Sequence, residues 1–109
     1  MDVEALLEEL SRSPDLAPFR RLVEPLLAYD RERRSYLVRT LRVYLAAGAN
    51  ASEAAEGLFL HRNSMLYRLA RIEELVSLNL KDPRARLVLQ LGLLAIDAER
   101  SSDDEAEHP

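Results

Sequence analysis

The sequence predicts an all-α protein, a small helical bundle forming one compact domain. Three observations carry this reading. Leu, Ala, Glu and Arg dominate the 109 residues, while aromatics make up 6% and glycines number three, a mixture that favours helix over strand. Apolar residues recur at spacings of three and four along most of the chain. With 48% hydrophobic residues, a domain of this length has enough material for a true core.

Asp2 to Leu10 sets Val3, Leu6, Leu7 and Leu10 on one face with acids between them, and stops at Ser11-Arg12-Ser13-Pro14. Residues 1–13 are therefore predicted to hold a short amphipathic helix. It belongs either to this domain or to the remnant of an upstream domain or linker, and the residues leave both open. From Leu16 to Tyr29, the residues Phe19, Leu22, Val23, Leu26 and Leu27 continue a helical pattern. Pro25 lacks the amide hydrogen that an unbroken helix needs, which predicts a break or kink just before it. After the polar run Asp30-Arg31-Glu32-Arg33-Arg34, Ser35 is placed to cap a helix with Leu37, Leu41, Tyr44 and Leu45 on one stripe. Gly48 ends that helix in the left-handed conformation.

Asn50 can offer its side-chain oxygen to the first amides of the next helix, Ala51 to Leu58, and Glu53 can reach back in a capping box. Phe59-Leu60-His61 then separates this short helix from Arg62 to Val76, where Met65, Leu69, Ile72 and Val76 recur at helical spacing. Two helices joined by a three-residue turn form a helix-turn-helix. Asp82-Pro83 supplies the cap and first-turn proline of a last helix from Arg84 to about Ala98. The helix-turn-helix domain is thus expected over 14–98, followed by an acidic, disordered tail over 99–109.

That last helix carries Leu87, Val88, Leu89, Leu91, Leu93, Leu94 and Ile96, which wrap nearly all the way round it. A helix apolar on every side must be covered on every side, and so small a domain leaves part of it for a second copy or an upstream domain. Homodimerisation through Leu87, Leu91 and Leu94 is the expectation.

The net charge of -4 speaks against a nucleic-acid binder until it is divided along the chain. Between Arg31 and Arg71, eight arginines stand against Glu32, Glu53 and Glu56, while Asp97 to Glu107 holds six acids and one arginine. The middle of the chain is therefore locally cationic. With no cysteine there is no disulfide framework and no thiolate metal site. No apolar run approaches the roughly 18 residues that cross a bilayer, so a soluble, cytoplasmic protein without membrane contact is expected.

Catalytic chemistry has little to stand on. His61 and His108 are the only histidines, too few for a metal cluster or a histidine-based nucleophilic site. Gly48, Gly57 and Gly92 are isolated, so no phosphate-binding glycine loop exists. Glu73 and Glu74 sit on a helix surface, and Asp103, Asp104 and Glu105 in the tail, without a pocket to work in. Neither an enzyme, a cofactor nor a metal is expected.

Projected at about 100° per residue, Arg62 to Val76 turns Met65, Leu69, Ile72 and Val76 inward and Asn63, Ser64, Tyr67 and Arg71 outward. Arg68 lies at the flank and Arg62 leans inward. The outward group suits a major groove: an amide can pair with adenine, a guanidinium with guanine, and hydroxyls with phosphates. Free amides and the positive end of the helix dipole let a phosphate dock beside Ser64. Tyr67 can donate to a phosphate or else pack against the last helix. His61 reads as a helix cap before a base contact, and Tyr29 and Tyr44 are assigned to the core. The DNA-contacting candidates are Arg62, Asn63, Ser64, Tyr67, Arg68 and Arg71.

A wider pattern runs from about Pro14 to Ala98. It comprises Pro25-Leu26-Leu27-Ala28-Tyr29-Asp30, Thr40-Leu41, Tyr44-Leu45, Asn50 with Ala54-Ala55, His61-Arg62-Asn63-Ser64-Met65, Tyr67-Arg68-Leu69, Arg71-Ile72-Glu73-Glu74-Leu75, Asp82-Pro83 and Arg86-Leu87. In these residues the chain resembles the C-terminal domain of PucR and CdaR type regulators. The resemblance implies a Fis-type helix-turn-helix that binds double-stranded promoter DNA, at the end of a longer bacterial chain with effector-sensing domains upstream. It also implies that His61 caps the recognition helix while Arg62 and Asn63 approach the duplex. The chain departs from the family at Ser64, usually Thr, and at Leu66, commonly basic. The competing reading is a helical interaction module that docks 84–98 onto a protein partner, with the arginines merely solvated.

Overall fold

The computed structural model describes residues 2–107, with side chains to residue 99, and these residues form six α-helices and one 3₁₀ turn without a strand. The all-α expectation is met. Helix α1, Val3–Ser11, is capped by the Asp2 carboxylate, which accepts from the amides of Glu4 and Ala5 at 3.0 and 3.3 Å. The 3₁₀ turn, Pro14–Leu16, opens at Ser13 and leads directly into α2, Ala17–Arg33.

Contrary to the predicted break, α2 runs through Pro25. An interior proline costs about 3 kcal/mol. Val23 and Leu26, on either side of it, are completely buried. Burying such side chains contributes about 1.5–3 kcal/mol each, enough to hold the helix together across the missing hydrogen bond.

Helix α2 ends at Arg34, whose left-handed backbone (φ 51°) turns the chain sharply. Helix α3, Leu37–Ala46, is then capped differently from expectation. Tyr36 occupies the cap position and makes no side-chain cap bond, so Ser35 lies one residue too early to serve. The carboxylate of Asp30, from the last turn of α2, accepts instead from the amides of Leu37 and Val38 at 2.8 and 3.0 Å and from the Ser35 hydroxyl. One ionised side chain with two oxygens can satisfy two orphan helix amides and a hydroxyl together, which a serine cannot.

Gly48, at φ 67°, closes α3 in the left-handed region as expected. Helix α4, Ala51–Gly57, begins at Asn50, whose Oδ1 accepts from the Glu53 amide at 3.1 Å. The reciprocal half of the expected capping box does not form, because the Asn50 amide already donates to the Ala47 carbonyl. Helix α5 spans Arg62–Val76, the range read from its apolar spacing, and α6 spans Pro83–Glu107. The α6 backbone continues as helix past Ala98, where the sequence predicts its end and the start of a disordered tail.

The core gathers one stripe from each of α2 to α6, including Leu26, Leu41, Met65, Ile72 and Leu89, all essentially inaccessible. Helix α6 lies along α2 so closely that a Cβ on Gly92 would stand 2.5 Å from the Phe19 carbonyl oxygen and 2.9 Å from Val23 Cγ1. A bidentate Arg42–Asp97 pair, at 3.0 and 2.6 Å, ties α3 to α6. Helix α1 lies against α6 but buries none of its own side chains.

This arrangement covers most of the α6 circumference from within. Leu89, Leu93 and Ile96 are buried and Leu91 and Leu94 half-buried, leaving only Leu87 (55% exposed) open among its large apolar residues. The docking surface that the interaction-module reading needed on 84–98 is thereby largely consumed by α2 and α1.

Candidate nucleic-acid interface

The helix pair α4–α5 is built around small residues. Ala54 and Ala55 are buried, so α4 can lie against α5, and the turn between them folds back through a bond from the Leu60 amide to the Ala55 carbonyl at 2.9 Å. Phe59, in this turn, takes a left-handed backbone (φ 56°) and is 96% exposed. His61 follows in an extended conformation, and its Nδ1 accepts from the Asn63 amide at 3.1 Å. Accepting through Nδ1 lets the ring satisfy one of the free amides at the start of α5.

Met65, Leu69, Ile72 and Val76 are buried along one side of α5, which fixes the opposite side toward solvent. Asn63 and Ser64 are exposed there, and Tyr67 is 64% exposed. Arg62 is also exposed, where the projection had turned it inward. It is the first residue of the helix, ahead of the stretch that the core covers. The helix has no acid in its first turn.

Arg68 and Arg71 are less free than the projection implied. Arg68 donates to Thr40 Oγ1 at 3.1 Å, and Thr40, fully buried, donates in turn to the Tyr36 carbonyl at 2.7 Å. Arg71 donates to the Tyr67 hydroxyl at 3.3 Å and to Glu74 at 3.0 Å, and its guanidinium lies 5.8 and 5.9 Å from the ring centres of Tyr29 and Tyr67. The Tyr67 hydroxyl, then the Glu74 carboxylate, hold Arg71 above the usual arginine range, so it stays a cation throughout physiological pH. Tyr44 is buried as assigned, but Tyr29 is only half-buried, because it serves as the platform on which Arg33 and Arg71 rest.

Three supporting residues escaped the sequence reading. Besides Asp30, Glu73 accepts from the Leu80 amide at 2.9 Å, and Arg86 donates to the Leu80 carbonyl at 2.8 Å. Both polar groups of a buried loop residue are thus satisfied by side chains from α5 and α6. The available signal for Glu73 and Arg86 is their place in the family-like pattern, and Glu73, expected on the helix surface, instead serves the Leu80 amide.

A short helix, a tight turn, and a second helix with a buried apolar stripe beneath an exposed face of amide, hydroxyl and guanidinium groups define a DNA-binding helix-turn-helix domain. The chain belongs to the PucR C-terminal helix-turn-helix domain family, which it matches over residues 37–95. It is similar to the purine catabolism regulatory protein of Bacillus subtilis (strain 168), with 39% identity over 92 residues covering 84% of this chain and 17% of that protein. It is also similar to the DNA-binding transcriptional activator AdeR of the same strain (32% over 65 residues, 60% and 15%). A third relative is the carbohydrate diacid regulator of Escherichia coli (strain K12), with 36% identity over 69 residues covering 63% and 18%. The chain spans about a sixth of the length of these curated relatives. No solved structure gives a significant match. Among the described residues, no helix is long and apolar enough to cross a membrane.

Proposed function

We propose that this chain is the DNA-binding end of a bacterial transcriptional regulator, inserting α5 into the major groove of a specific promoter sequence. The observation that carries the proposal is the face of Arg62, Asn63, Ser64 and Tyr67, exposed directly above a buried stripe that holds the helix rigid. Asn63 and Arg62, without side-chain partners among the described residues and at the leading end of α5, are the base readers. Asn63 suits adenine and Arg62 guanine. Ser64, Tyr67, Arg68 and Arg71 position the helix against phosphates, since the two arginines are already steered sideways by Thr40 and Glu74. His61 caps the helix through Nδ1. The domain carries out no reaction of its own, in keeping with relatives named as regulators and activators, and it works in the cytoplasm under the control of an upstream effector-sensing domain.

Selection of bound sequences from random duplexes at physiological salt tests this directly. An enriched, defined motif is the expected result, and recovery of unenriched DNA would remove the proposal. Asn63→Ala should weaken binding to the selected site by about 1–3 kcal/mol while leaving affinity for random duplex nearly unchanged. Equal losses on both, measured by fluorescence anisotropy, would strip Asn63 of its reading role.

We further propose that the domain acts as a homodimer, with its two recognition helices in successive major grooves roughly 34 Å apart. Leu87 is the candidate that remains exposed for pairing. Val3, Leu6, Leu7 and Leu10 of α1 add a row of apolar side chains, each 39–65% exposed, larger than the isolated apolar residues of an ordinary surface. Light scattering at high protein concentration should give a dimer mass, and a monomer mass would end this part of the proposal.

A further inference from the structure

Beside the outward face of α5 lies a cleft that the family match does not reach on its far side. One wall is α5 itself, with Tyr67, Arg68 and Arg71, and the other is the corner between α2 and α3, with Arg34, Ser35 and Tyr36. Arg34, Ser35 and Tyr36 precede the matched span of 37–95.

The chemistry of this cleft is one-sided. Three guanidinium groups line it, from Arg34, Arg68 and Arg71, and no carboxylate among the described residues does. Glu74 offsets part of the Arg71 charge from outside the lining. Arg71 Nε is buried without a hydrogen-bond partner among the described residues, and two of the five N–H groups of a guanidinium account for its bonds to Glu74 and Tyr67. Tyr36 and Tyr67, 62% and 64% exposed, stand on opposite walls with hydroxyls that can donate.

The corner is also rigid. Arg34 is held at φ 51° with its amide bonded to the Asp30 carbonyl, and the next turn is clasped by the Asp30 carboxylate. Arg34 is therefore presented from a fixed point and not from a loose loop. With α5 in a groove about 12 Å wide, whatever stands beside the helix faces the strand backbone and not the base edges.

We propose that the cleft between the α2–α3 corner and α5 clamps a phosphate of the DNA backbone at the rim of the groove, with Arg34 and Arg71 on either side of it. The assignment rests on the major-groove reading of α5 and adds a contact from outside the helix-turn-helix. Arg34 adds affinity and orientation here, and no sequence preference.

The test uses the whole chain and a duplex carrying its selected motif. Arg34→Gly removes the guanidinium while fitting the left-handed backbone, so the corner keeps its shape; unchanged circular dichroism checks this. Each lost phosphate contact lowers the salt slope of log affinity by about 0.9, so the affinity lost between 50 and 200 mM salt should shrink by about 3.5-fold per subunit. Motif and random duplexes should weaken by the same factor, and Arg34→Lys should restore most of the slope. A scan of single methylphosphonates, which neutralise one phosphate at a time, should find a flanking position that weakens the parent protein but not Arg34→Gly. An unchanged salt slope in Arg34→Gly, or a methylphosphonate scan identical for both proteins, overturns the clamp while leaving the groove reading standing. Failure of the parent protein to bind any duplex overturns both.

Discussion

Met65→Ala is expected to lower the free energy of unfolding by about 2–5 kcal/mol, the range for truncating a large buried side chain and leaving a cavity behind. Met65 is wholly inaccessible and is the first inward residue of α5, so the cavity would open beneath the residues that face DNA. Against a total stability of about 5–15 kcal/mol, that is a large fraction. Urea unfolding followed by circular dichroism should show a lower midpoint with an unchanged slope. Met65→Leu conserves volume and should cost less than about 1.5 kcal/mol. Because Met65 exposes nothing, the folded fraction of the alanine variant should still bind DNA at low temperature. A stability loss below about 1 kcal/mol would mean that α5 is not seated on the core in this way.

Gly92→Val should be comparably damaging, for the opposite reason. In an ordinary helix, replacing glycine removes a penalty of about 1 kcal/mol. Here the added Cβ would meet the Phe19 carbonyl oxygen at 2.5 Å, and a backbone atom inside α2 cannot move aside as a side-chain tip can. Overpacking then wins, at about 3 kcal/mol, and the branched side chain forces α2 and α6 apart. Gly57→Ala provides the contrast. Its nearest neighbour is Val43 Cγ1 at an ordinary 3.4 Å, so a change within about 1 kcal/mol is expected. Similar melting temperatures for Gly92→Val and the parent protein would show that the two helices do not cross at this point.

What could be read from the residues alone follows from how far each interaction reaches along the chain. The bounds of α5, the Asn50 cap and the left-handed Gly48 depend on neighbours within four positions, and the pattern of types displays them. The break allowed for at Pro25 does not occur, because the burial of Val23 and Leu26, which holds α2 together across it, is a property of the assembled core. Asp30 caps amides seven and eight positions away, a reach that no local cap signature covers, and Ser35 offered a nearer, plausible substitute. The outward face of α5 was legible from periodicity, whereas the diversion of Arg68 to Thr40, 28 positions earlier, was not. The apolar girth of α6 was legible as needing cover, and α2, α1 and α3 of the same chain supply much of it. Only the fold could show how little of it remains open.

The bond between the Asp30 carboxylate and the first amides of α3 makes an elbow where a swivel could have been. Helix α2 cannot pivot independently of α3 without breaking two charge-assisted hydrogen bonds. Helix α5 packs against both α2 and α3, so the elbow that fixes these two helices also fixes the frame on which α5 is seated.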